Sequence, residues 1–248
     1  MTLKTKNIIL YSSTIICATL FILHLVGFGL FPILKRTDCI ILFLNSIFLL
    51  AGSIIIHIYY KKSLPSEIIL FTVFLASFSL QSIRIIPLLI DYDTFAMSII
   101  VGRTSQFLKY LSLLSLLGAS LFSYTIKKQK VGTWLLSSIL CSFVVSSFMH
   151  FNTGVMKSNL LPSVIFKSED IVITSSIIII IVSTFIKTGF DAKNVEFFFM
   201  AGASLALCLS ILLSFITLNL ISGIIMIILL ILGSIFYLRS MHNITIWA

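Results

Sequence analysis

Charge is scarce in this chain. Of 248 residues, 17 are Lys or Arg and only 8 are Asp or Glu, and mean hydropathy is +1.18. About a quarter of a typical soluble domain is charged, so 10% charged against 59% hydrophobic excludes that class. No Pro-, Gly- or Ser-rich linker separates two halves, and the reading is a single domain over 1–248 with no soluble domain attached. Cys17, Cys39, Cys141 and Cys208 are scattered, with no CxxC or Cys/His spacing. That argues against zinc and dithiol chemistry and leaves small packing residues. HExxH, GxSxG, a P-loop and a Gly-rich dinucleotide turn are all missing, so no enzymatic activity is expected. His24 and His150 lack facing partners that would make a haem or metal pair, so no cofactor or metal is expected. The last two apolar segments hold no lysine for a retinal Schiff base.

What the chain does have is apolar length. A helix needs about 20 mainly apolar residues to cross a bilayer core of about 30 Å. Eight runs qualify: 8–34, 38–60, 66–90, 96–126, 132–151, 169–187, 195–217 and 219–239. Backbone groups in lipid must be satisfied internally, and runs such as Ile177–Ile181 do not alternate as barrel strands do. The fold class is therefore all-α, a polytopic membrane helix bundle of about eight spans. Seven is the alternative, because only Thr217-Leu218-Asn219 divides the last two runs. The first run follows Lys4 and Lys6 but is too long for a signal peptide and lacks a small-residue cleavage site, so it reads as a retained helix. Residues 152–168 read as a loop lying along the membrane surface.

The excess of positive charge suggests topology rather than nucleic-acid binding, since no loop is large enough to read a nucleic acid. With the N-terminus in the cytoplasm, 10 basic residues fall inside and 4 (Lys35, Arg36, Lys157, Lys167) outside, as the positive-inside rule requires. Eight spans then put both termini in the cytoplasm of a cell (inner) membrane. Serines recur within the helices, and the cluster Ala201-Gly202-Ala203-Ser204 reads as a close helix contact.

Polar residues at membrane depth are costly and mark function by default. In this topology His24, Asn45, Gln81, Arg84, Arg103, Gln106, Lys109, His150 and Asn219 all fall in the outer half. Gln81, Arg84 and Asp91 lie within about 80° of one helix face, and Arg103, Gln106 and Lys109 within about 120° of another. Pro87 is placed to kink or end the first of these helices. Arg84 and Arg103 at one depth need something negative between them. Asp38, Asp91, Asp93, Glu169 and Asp170 can supply it, as can a bound carboxylate, phosphate or lipid headgroup. The expected site is an outward-facing basic cavity drawing on Gln81, Arg84, Arg103, Gln106, Lys109 and Asp91, with His24 and Asn45 nearby. The bland alternative is that the cations snorkel to the headgroups and pair with the outer acids.

Two functional classes follow. The first is a non-catalytic sensing or interaction subunit that acts through a protein partner or as a homo-oligomer. It is favoured because no effector domain is attached and the inner half is poor in polar groups. The second is binding or transport of a small anionic or amphipathic ligand.

Overall fold

The computed structural model describes residues 3–30, 37–60, 65–85, 95–124, 131–148, 168–215 and 220–247. Eight long helices fill these segments: α1 (Leu3–Leu30), α2 (Thr37–Tyr60), α3 (Ser66–Leu80), α4 (Phe95–Tyr124), α5 (Val131–Phe148), α6 (Ser168–Ala192), α7 (Glu196–Phe215) and α8 (Leu220–Trp247). Each is long and apolar enough to span a membrane, α3 together with the residues that continue it to Arg84, and no strand occurs among the described residues. The protein is a multi-pass membrane helix bundle with a bilayer as its solvent. Asp91, Asp93, His150, Asn219, Pro87 and residues 152–167 of the surface loop read over 152–168 lie outside the described residues, as does the Asp38 side chain, while Ser168 begins α6.

The seven-span alternative does not hold. α7 and α8 are separate helices packed against one another, and Gly233 is where their backbones approach. A Cβ there would stand 3.0 Å from the Ala203 carbonyl oxygen and 2.9 Å from Leu207 Cγ. Ala203 belongs to the small-residue cluster expected to make a close contact. Its neighbour Gly202 instead faces open space, so the lack of a side chain that permits the close approach is at Gly233 of the other helix.

α3 and α4 form the centre of the bundle. Their spanning windows are 78% and 83% buried, against 22% for α1, α5 and α6. α1 and α2 pack on α3; α5 and α6 pack on α4; α7 runs beside α6, and α8 beside α7 and α2. Lipid-facing Ile and Leu residues such as Ile58, Ile179 and Ile221 are exposed for the reason core residues elsewhere are buried: hydrocarbon surrounds them.

Contacts fix which helix ends meet. At one end, Tyr11 of α1 lies against His57 of α2 (centroids 4.7 Å apart), Tyr60 of α2 donates to the Leu238 carbonyl (3.2 Å), and Asn243 of α8 donates to Glu196 of α7 (2.8 Å). This is the Tyr60 end. The opposite end gathers the close of α3, α5 and α7 and the start of α4 and α6, and holds Arg84.

Serine hydroxyls explain how such an apolar chain tolerates so many polar groups. Most return to a carbonyl three or four residues back, as Thr72 does to Ile69 and Ser115 to Ser112, each at 2.7 Å. A few stitch helices together: Ser13 donates to the Thr72 carbonyl (2.9 Å), Ser53 to Thr14 (2.9 Å), and Ser77 meets Ser112 (2.8 Å).

Helix ends differ from the sequence expectation where local chemistry intervenes. α6 was expected to stop at 187 but continues to Ala192, where Lys193 adopts φ 50°. Asn194 N–H donates to the Gly189 carbonyl (3.2 Å) and Lys193 N–H to that of Phe190 (3.3 Å), a Schellman cap that needs a left-handed residue at that position. The Asn194 side chain then accepts from Glu196 N–H (2.9 Å) and starts α7. The expected helix over 66–90 is instead α-helical to Leu80 and tightens to a 3₁₀ turn over Gln81–Ile85.

Candidate functional site

The 3₁₀ turn is what builds the site. It has three residues per turn, so side chains at i and i+3 eclipse one another, and Gln81 and Arg84 stand in line at the end of α3. Both lean on one residue of α7. Ser214 Oγ lies 3.1 Å from Gln81 Oε1, and the Ser214 carbonyl accepts from Arg84 Nη1 at 2.8 Å. Arg84 Nε also donates to Ser105 Oγ of α4 at 3.2 Å. The guanidinium carbon sits 3.8 Å from the centroid of the Phe215 ring, a cation–π contact.

Arg84 is 1% exposed. Among the described residues its Nη2 has no hydrogen-bond partner and no carboxylate comes within ion-pair distance of it. Gln81, also buried, leaves Nε2 unpartnered. A guanidinium taken out of water without a counter-charge is among the most costly arrangements a protein can hold.

Lys109 is the contrast. It is also fully buried, but Asp170 at the start of α6 accepts from its Nζ with both oxygens, each at 2.8 Å. Tyr110 Oη donates to the same carboxylate at 2.5 Å. Three groups from two helices thus form a closed unit that pins α6 to α4. The two cations share the Phe215 ring, with Lys109 Nζ 5.4 Å from its centroid. They are therefore closer than about 10 Å, where like charges in a low-dielectric interior repel. Among the described residues, two buried cations and one buried carboxylate give this corner a net charge of +1.

The remaining expected residues are placed as follows. Arg103 is exposed, and its Nη1 donates to the carbonyls of Ser146 (3.3 Å) and Ser147 at the last turn of α5. It caps that helix, turning toward α5 while Arg84 turns toward α7, so the two arginines do not face one space. Gln106, one turn before Lys109, is buried with Oε1 unpartnered. His24 and Asn45 are buried on α1 and α2, and among the described residues no hydrogen bond, ion pair or ring contact joins them to Arg84, Lys109 or Asp170. His24 Nδ1 contacts the Leu20 carbonyl at 2.8 Å; a carbonyl only accepts, so Nδ1 carries a proton and donates. No group of three His, Cys, Asp or Glu side chains able to hold a metal occurs among the described residues. Asp91 lies outside them.

Ser105, Tyr110, Ser214 and Phe215 complete the site and were not singled out as members by sequence reasoning. Ser214 is one of the serines that recur within the helices. Its part in the site comes mainly from its backbone carbonyl, which no side-chain pattern reports.

No family model matches the chain, and neither a curated protein nor a solved structure matches it.

Proposed function

We propose that this membrane protein binds a small oxyanion at Arg84. The observation that carries the reading is the pairing state of two neighbouring buried cations among the described residues: Lys109 has its own carboxylate, and Arg84 has hydrogen bonds only to neutral oxygens, with Nη2 left over. A carboxylate, or a phosphate whether free or on a lipid headgroup, supplies the missing charge and hydrogen bond in one step. Binding takes precedence over an interaction role on this ground.

Sensing through a partner draws on the same corner. Asp170 fixes α6 to α4 through Lys109, next to the anion's place, so an added negative charge at Arg84 alters the field on that link and hence on α6. By the charge bias of the loops, the termini lie in the cytoplasm and Arg84 in the outward half of an inner membrane.

The test is thermal unfolding of the protein in lipid nanodiscs, titrated with acetate, phosphate, sulfate and chloride. Saturable stabilisation by an oxyanion, absent in Arg84→Met, is expected. Equal stabilisation of both proteins by every anion contradicts the reading.

A further inference from the structure

We infer that the anion at Arg84 is a singly charged carboxylate, held jointly by Arg84 Nη2 and Gln81 Nε2. This rests on the oxyanion-binding reading above and narrows it to one chemical class.

Three observations select that class. The first is charge. Among the described residues the corner carries +1, so one negative charge neutralises it, as a carboxylate or a phosphodiester supplies, whereas a phosphate or sulfate dianion leaves a buried excess of negative charge. The second is the number of open donors. Ser105 and Ser214 each take one hydrogen bond from Arg84, at Nε and Nη1, and Phe215 covers a face of the guanidinium, so among the described residues Nη2 is the guanidinium nitrogen left without a partner. Gln81 adds one further nitrogen, aligned with Arg84 by the 3₁₀ turn and held against the same Ser214. Two such nitrogens can each face one oxygen of a planar carboxylate, whereas a tetrahedral oxyanion has further oxygens that neither nitrogen faces. The third is an example within the protein: the adjacent Asp170 carboxylate is held in just such surroundings, by two Lys109 contacts at 2.8 Å and Tyr110 at 2.5 Å.

Gln81→Glu tests this because it places a tethered carboxylate beside Arg84 with almost no change of shape. The purified full chain in nanodiscs is compared with Gln81→Met, using isothermal titration and thermal unfolding with acetate, oleate, phosphate and sulfate as probes. For the unaltered protein, acetate or oleate binds at least tenfold more tightly than phosphate or sulfate, and the better of the two shows whether the carboxylate arrives from water or from the bilayer. Gln81→Glu melts higher than the unaltered protein without added anion and loses at least tenfold in carboxylate affinity. Gln81→Met loses affinity to a similar degree without the rise in melting temperature. Should Gln81→Glu not fold, the affinity loss in Gln81→Met decides the matter alone. Tighter binding of phosphate or sulfate overturns the carboxylate assignment and leaves oxyanion binding standing. Carboxylate affinity within twofold of the unaltered protein in the Gln81 variants overturns the two-donor grip. No response to any anion overturns this inference and the reading beneath it together.

Discussion

Arg84 and Lys109 are both buried cations at the same end of the bundle, and both lie against Phe215. They differ in one respect. Lys109, Tyr110 and Asp170 satisfy each other, so their charge is spent inside the protein, holding α6 to α4. Arg84 is held only by a serine hydroxyl and a backbone carbonyl, so its positive charge has no internal answer among the described residues. Burial alone therefore does not separate a structural charge from a functional one. The presence or absence of a counter-charge does.

That difference can be broken from the Lys109 side first, where the effects are largest. Asp170→Asn leaves Lys109 buried without its carboxylate and is expected to cost about 3–5 kcal/mol, read from reversible unfolding in mixed micelles. Tyr110→Phe keeps the ion pair and removes one hydrogen bond to a charged group, an expected loss of about 1.5–3 kcal/mol by the same measurement. Arg103→Gln weakens the capping of α5 at an exposed position, where a cation near a helix C-terminus contributes about 0.3–1 kcal/mol. Arg84→Met is expected to sharpen the contrast by doing least. Without added anion its stability stays within about 1 kcal/mol of the unaltered protein, because replacing a poorly compensated buried charge by an apolar side chain is often neutral or favourable. A loss at Arg84→Met as large as that at Asp170→Asn would mean that Arg84 is a structural charge like Lys109.

The same contrast marks where the sequence was informative. Spans could be read from apolar length because lipid imposes one requirement along the whole segment, and all eight helices fall where the runs fall. Their ends depended on particulars: a Schellman cap at Lys193 extended α6, and α8 runs on through Arg239, His242 and Asn243 to Trp247, past the expected end at 239. Arg84, Gln81 and Lys109 stood out as polar residues at membrane depth, and Asp170 was among the acids named for them. Which cation Asp170 would take was not legible, since it depends on how α6 packs against α4 across more than 60 residues of chain. Nor was the parting of Arg84 from Arg103. An α-helical reading of residues 81–85 aligns those side chains differently from the 3₁₀ turn that forms, and α4 presents Arg103 to α5 rather than to α3.

The measurement to make is the distance from a bound carboxylate to labelled protein nitrogens. Solid-state NMR on the protein in lipid, with carboxyl-¹³C acetate or oleate and ¹⁵N-guanidinium arginine, reports contacts out to about 4 Å, the range of a carboxylate–guanidinium hydrogen bond. Dephasing by arginine nitrogen is expected, lost in Arg84→Met and retained in Arg103→Gln. Dephasing that survives Arg84→Met, or that comes instead from ¹⁵Nζ-labelled lysine, contradicts the assignment of Arg84 as the open cation and Lys109 as the closed one.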